Sequence, residues 1–220
     1  MCGRRLIAYG TCTQGVSGTG KSTLGAALGR ALRLPFIDGD DLHPVVNVEK
    51  MARGEPLEDE DRWPWLERVR RTGVECVGGQ LGEGVGLADR GSGGSTKDEA
   101  SAARGVETGT GVRDGPRLGV IVACSSLKKT YRAVLRGEAW PGSRDVTRMS
   151  LPTYFVYLKG DRDVLMERML HRQGHFMKAG MLESQLDTLE SPEDEPGVVT
   201  VSAEMSTEEQ VQKVVEMLGS

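Results

Sequence analysis

Gly15-Val16-Ser17-Gly18-Thr19-Gly20-Lys21-Ser22 fits the pattern G-x-x-x-x-G-K-[ST] and runs directly into Thr23 to Leu32, where Leu24, Ala27, Leu28 and Ala31 recur at helical spacing. A loop that wraps its backbone N–H groups around a polyphosphate has no room for side chains at its closest approaches, and Gly15, Gly18 and Gly20 remove them. In that setting Lys21 puts a point charge on the β- and γ-phosphates and the Ser22 hydroxyl is a Mg²⁺ ligand. The helix starting near Gly20 adds the partial positive charge of its N-terminus. Gly15, Val16, Ser17, Gly18, Thr19, Gly20, Lys21 and Ser22 are therefore expected to bind ATP or GTP.

Working outward, apolar runs that read as buried parallel strands alternate with helical patterns. The strands are Leu34 to Ile37, Val120 to Ala123, Tyr154 to Leu158 and Val198 to Val201, with an irregular first strand around Leu6 to Tyr9. Helices fit at Gly20 to Leu32, Val46 to Arg53, Glu60 to Val77, Ser126 to Arg136, Asp161 to His171, Gly180 to Leu189 and Ser206 to Leu218, with Asp161 and Ser206 as N-caps. This layout predicts a doubly wound α/β fold with a parallel sheet. The weakest stretch is Gly10-Thr11-Cys12-Thr13-Gln14, a polar interval where an apolar strand should lead straight into the loop.

The 220 residues suit one domain, and 38% hydrophobic content is that of a globular chain with a sizeable core. Residues 78–117 depart from this: they are glycine-rich, lack aromatics and nearly balance acid against base, so they read as an exposed, disordered insertion. A net charge of −4 with interspersed signs gives no basic footprint for nucleic acid. The sequence has no apolar run long enough for a bilayer and no secretory leader, so the expected compartment is the cytoplasm. Cys2, Cys12, Cys76 and Cys124 share no C-x-x-C spacing and read as free thiols. His171 and His175 are four apart, but Gly174 interrupts the helix and no third ligand is near, which argues against a metal pair.

Beyond the second strand, Asp38-Gly39-Asp40-Asp41-Leu42-His43-Pro44 places carboxylates two residues apart at the carboxyl end of a parallel strand, where open α/β sheets bind ligands. Phosphoryl transfer uses one carboxylate to hold the metal's water shell and another to orient or deprotonate the attacking oxygen. Asp38 is expected in the first role, with Mg²⁺ held through water, and Asp40 in the second. Arg168 and Arg172 share a helix face leading into a lid expected over residues 172–185, and Arg172 at its boundary is the arginine expected to stabilise the transferring phosphoryl group.

These motifs, in order, resemble the gluconokinases, relatives of shikimate and nucleoside monophosphate kinases. The likeness rests on residues 15–22 and 38–44, on Asn47-Val48-Glu49-Lys50-Met51-Ala52-Arg53-Gly54-Glu55-Pro56-Leu57, and on Asp59-Glu60-Asp61-Arg62-Trp63-Pro64-Trp65-Leu66. It continues through Ala123-Cys124-Ser125-Ser126-Leu127-Lys128-Lys129-Thr130-Tyr131-Arg132, Arg172-Gln173-Gly174-His175-Phe176-Met177 and Leu182-Glu183-Ser184-Gln185. The resemblance implies a five-stranded sheet of the P-loop nucleoside/shikimate kinase type with a lid. It also implies transfer of phosphate from ATP to D-gluconate with Mg²⁺, giving 6-phosphogluconate for the pentose phosphate pathway. ATP and gluconate are then the small-molecule partners, and the reading leaves room for a homodimer.

A small anionic polyol calls for cations and hydrogen-bonding groups near Asp40. His43, Arg62, Lys128 and His175 are the expected substrate contacts, with Lys50 and Arg53 as readily explained by surface charge. Two departures from the family stand out: the polar first strand, and Ser126 where these kinases carry alanine. A kinase for another small acceptor and a nucleotide-binding protein without transfer activity are the alternatives.

Overall fold

The computed structural model describes residues 9–81, 118–138, 151–171 and 179–219. Five parallel strands, β1 (Tyr9–Gln14), β2 (Phe36–Asp38), β3 (Gly119–Ala123), β4 (Thr153–Lys159) and β5 (Val198–Ser202), lie in the order β2-β3-β1-β4-β5. Helices α1 (Lys21–Leu32), α2 (Val45–Ala52), α3 (Asp59–Gln80), α4 (Lys129–Arg136), α5 (Arg162–His171), α6 (Ala179–Thr188) and α7 (Thr207–Gly219) connect them. This is the doubly wound five-stranded sheet expected from the sequence.

Strand alternation divides the core between the two sheet faces. Cys12, Val120, Val122 and Phe155 pack against Trp65, Leu66 and Val69 of α3 and against Tyr131, Val134 and Leu135 of α4. Ile121, Val156, Val199 and Val201 pack on the other face against Leu24, Leu28 and Leu32 of α1 and Val214 of α7. A third apolar cluster, Val16, Leu127, Leu165, Met169 and Leu182, anchors the loop after β1 to α5 and α6. Both expected N-caps form: Asp161 accepts from the Asp163 N–H at 2.8 Å, and Ser206 and Glu209 exchange bonds in a capping box.

The first strand corrects the sequence reading. The polar interval Gly10–Gln14 is itself most of β1, and β1 is the central strand, paired with β3 on one edge and β4 on the other. Thr11, Thr13 and Gln14 are each at most 1% exposed, so three polar side chains occupy a place where apolar ones are the rule. Some are satisfied: Thr13 donates to the Lys21 carbonyl at 3.1 Å, and Gln14 Oε1 accepts from the Ser126 hydroxyl at 2.9 Å. Thr11 Oγ1 and Gln14 Nε2 are buried without a partner. The two departures from the family pattern are thus one local feature, since the hydroxyl at 126 bonds the glutamine at 14.

Helix α3 continues to Gln80, past the expected start of the insertion at Gly78, because Val77 is fully buried and the Gln80 amide both donates to and accepts from the Gly119 backbone (2.9 and 3.0 Å). The remainder of that expected insertion, residues 82–117, lies outside the described residues. So does the expected lid up to residue 178; its C-terminal part belongs to α6. No described helix is long and apolar enough to cross a membrane.

Candidate active site

The loop between β1 and α1 takes its path from its glycines. Gly15 has φ 146°, and a Cβ there would sit 2.9 Å from the Leu158 carbonyl oxygen, so the turn out of the central strand excludes any other residue. Thr19 closes the loop by donating to the Val16 carbonyl at 2.8 Å. Helix α1 then begins at Lys21 with no side-chain cap, leaving first-turn N–H groups unpaired by capping and directed at the loop's concavity.

A cleft of about 620 Å³ opens over this helix end. It gathers Ser17, Gly18, Gly20, Lys21 and Ser22 on one wall, Asp38, Asp40 and His43 on a second, and Arg62 and Trp65 on a third; Met169 of α5 and Gln185 of α6 close one side. Of the expected site residues, Ser17, Gly18, Gly20, Lys21, Ser22, Asp38, Asp40, His43 and Arg62 therefore converge, whereas Gly15, Val16 and Thr19 of the loop do not line the cleft. Arg172 and His175 fall outside the described residues.

Lys21 Nζ donates to the Val16 carbonyl at 3.0 Å. Burial presses its pKa below the ordinary lysine value, and Asp40, ahead of Asp38, acts most strongly among the carboxylates to hold the proton on. Asp38 Oδ1 accepts the Asp40 backbone N–H at 3.1 Å, which ties the Asp38 carboxylate to the main chain that carries Asp40, just beyond the end of β2. Gly39 sits between them because a Cβ there would collide with the Ala123 carbonyl oxygen.

Arg62 is only 9% exposed; its Nε donates to the Leu57 carbonyl at 3.2 Å, and its guanidinium lies 5.6 Å from the Tyr131 ring centre. Among the described residues no carboxylate comes within ion-pair distance of it. His43 stacks on Trp65 at 4.1 Å, and burial, reinforced by the nearby Arg62, lowers its pKa to about 4. Trp65 is itself held by its Nε1–H to the Gly39 carbonyl at 2.8 Å.

Lys128 corrects a sequence expectation. It does not line the cleft: its ammonium is bound by both oxygens of Asp59 (2.7 and 2.9 Å), and the Tyr131 hydroxyl donates to the same carboxylate. The reason is geometric, since Lys128 immediately precedes α4 and faces the start of α3, not the loop. Lys50 and Arg53 are likewise paired, with Asp61 at 2.6 Å and Glu55 at 2.8 Å.

Trp65, Asn47 and Gln185 had no role assigned from sequence. Trp65 lies three residues after Arg62 on α3, so helical spacing could have found it. Gln185 accepts the Ser17 N–H at 2.7 Å, tying α6 to the loop, and it follows the buried Leu182 at the same spacing. The long-range partner of Asn47 leaves no local sequence signal.

A phosphate-binding loop at the end of a central parallel strand, two carboxylates beside it at the end of β2 and a cleft with room for a small acceptor define a P-loop small-molecule kinase. The family model for shikimate kinase matches residues 17–68. The chain is 33% identical to a probable gluconokinase of Schizosaccharomyces pombe over 93% of its length and 84% of the relative's. It is 37% identical to the thermosensitive gluconokinase of Escherichia coli K12 over 85% and 75%. The solved structure of a gluconokinase from Sinorhizobium meliloti 1021 superimposes with a TM-score of 0.66 at 34% identity, covering 98% of this chain and 95% of that one. The chain belongs to the gluconokinase family.

Proposed function

We propose that the protein transfers the γ-phosphoryl group of ATP to D-gluconate, forming 6-phosphogluconate and ADP and so feeding the pentose phosphate pathway. The observation that carries the acceptor is Arg62. A buried guanidinium with no carboxylate among the described residues at contact distance is costly unless something anionic joins it, and the cleft it lines has room for a small acid between it and the phosphate loop. The relatives named above support the same reading.

Within it, the backbone of residues 15–22 and Lys21 hold the triphosphate, Asp40 orients and deprotonates the attacking hydroxyl, and His43 and Arg62 bind the sugar acid. Ser22 and Asp38 fit a Mg²⁺ ion. Among the described residues no three acidic, histidine or cysteine side chains form a metal cage, and one hydroxyl plus one carboxylate matches a cation that takes its other ligands from phosphates and water. Bound there, Mg²⁺ neutralises charge on the phosphates. Arg172 and His175 would complete the site from the lid.

The test is ADP release with ATP and Mg²⁺ across gluconate, shikimate and nucleoside monophosphates. Gluconate-dependent turnover is expected; turnover only with another acceptor would reject the assignment.

A further inference from the structure

His43 reaches the cleft with its ring face covered by Trp65 and one ring nitrogen engaged. That nitrogen, Nδ1, lies 3.4 Å from Asn47 Nδ2. Asn47 is 2% exposed on α2, and the same Nδ2 donates to the Asp61 main-chain carbonyl at 2.8 Å. The second contact decides the orientation of the amide, because a carbonyl oxygen only accepts and so must meet the NH₂ group and not the amide oxygen. The remaining hydrogen of that NH₂ then faces His43 Nδ1. An amide nitrogen has no acceptor capacity, so Nδ1 supplies its lone pair and the proton of the neutral ring resides on Nε2.

Asp61 is itself fixed. Its carboxylate accepts from Lys50 at 2.6 Å and from the Glu58 backbone N–H at 2.9 Å, joining α2 to the start of α3. The amide is thus held by the junction of two helices.

We propose that Asn47 is a positioning residue that locks His43 as its Nε2–H tautomer, so that the imidazole presents one neutral hydrogen-bond donor to an oxygen of the acceptor. The assignment rests on the sugar-acid reading of the cleft and sharpens it. Burial, and after it the nearby Arg62, disfavour the charged ring, in keeping with this arrangement. A ring of this kind takes no proton from the attacking hydroxyl through Nε2, which leaves that task to Asp40. It selects an acceptor by donating to a hydroxyl or carboxylate oxygen, a contact that an acceptor lacking oxygen at that position forfeits.

The direct test reads the tautomer without substrate, by long-range ¹H–¹⁵N correlation on the full chain with ¹⁵N-labelled histidine. The chain has three histidines, and His43→Gln identifies the signal. The expected pattern at pH 7 is a protonated Nε2 and an unprotonated Nδ1; a protonated Nδ1 or an imidazolium overturns the proposal whatever the substrate is. In Asn47→Asp the new carboxylate accepts from Nδ1–H and inverts the tautomer. The KM for gluconate should then rise by about 10-fold or more while the KM for ATP is unchanged. His43→Gln, which retains a side-chain N–H, should keep more activity than His43→Ala. An inverted tautomer with an unchanged gluconate KM refutes the donor role. If no variant or wild-type protein turns over gluconate but the wild-type ring is protonated at Nε2, the acceptor assignment fails and the positioning role of Asn47 stands.

Discussion

Single side chains in this molecule are set by one or two contacts each, and their substitutions should separate cleanly. Asp38 is tied down by the Asp40 backbone N–H, whereas the Asp40 side chain faces Lys21 across the cleft. Replacing Asp40 with Asn retains size and removes the base, so kcat should fall ~10²-fold or more while the affinity for ATP, measured by equilibrium titration, stays near wild type. In β1 the sign is reversed. Thr11 Oγ1 is buried and unpaired, so Thr11→Val should stabilise the fold; Gln14→Met alone removes an unpaired Nε2 but also the Oε1 that accepts from the buried Ser126 hydroxyl, so its two effects oppose each other. For Thr11→Val a gain of about 1 kcal/mol would raise the melting temperature by roughly 2–4 °C for a chain of this size. Ser126→Ala alone should do the opposite, because it strips Gln14 Oε1 of its donor. Combining it with Gln14→Met should recover the loss, which a double-mutant cycle in thermal unfolding would read directly. The same side chains explain why the first strand was not legible: the sequence signal for a buried parallel strand is apolar content, and Thr11, Thr13 and Gln14 supply none.

Elements far from the cleft are joined by charge. Arg132 of α4 has a fully buried side chain, and its guanidinium meets Glu195 at 2.6 Å just ahead of β5, while Arg136, one turn on, takes the other carboxylate oxygen at 2.8 Å. Arg132 also donates to the Ser126 and Leu127 carbonyls, so the clamp carries the turn on which Ser126 adopts φ 35°. Burial works against the ionised Glu195, but the bonds from Arg132 and Arg136 outweigh it and hold the carboxyl below its ordinary pKa. A depressed carboxylate contributes its stability above the unfolded value of ~4.3 and loses it as the pH falls through the folded one. Glu195→Gln should therefore cost about 3–5 kcal/mol at pH 7 by leaving a buried cation uncompensated. Urea melts should show that difference shrinking as the pH is lowered below ~4. Most of the elements were readable from periodicity, as with α1 and β3, yet α4 starts at Lys129 and not at Ser126 as expected. The shift follows from Arg132, whose demand for the Ser126 and Leu127 carbonyls keeps those groups out of the helix ladder.

At the scale of the whole molecule, the layers follow from the loop and the strand alternation, while the cleft depends on contacts no local pattern announces. Arg62 and His43 were readable as cationic or polar residues in the right segment. That Lys128 would turn to Asp59 was not, because the competing carboxylate is brought in by tertiary packing of α3 on α4. The pair of hydrogen bonds between the Gln80 amide and the Gly119 backbone holds the end of α3 against the start of β3. The two ends of the intervening interval are thus closed by the framework itself. Replacing residues 82–117 with a short Gly/Ser linker should leave the melting temperature within a few degrees and gluconate kinase activity near wild type, since shortening a loop changes its closure entropy only slowly. A collapse in either measurement would assign that interval a structural or catalytic part.

The position of β1 also has a meaning in time. It leaves the ribosome ahead of both of its neighbours, yet the strands that flank it begin only at Gly119 and Thr153. Until those segments have been made, the phosphate loop hangs from a polar strand with no sheet to pair with, and the parallel contacts that fix it are among the most distant in the chain. The nucleotide site is thus encoded early and assembled late, and during synthesis the nascent half-chain offers ATP no finished cradle.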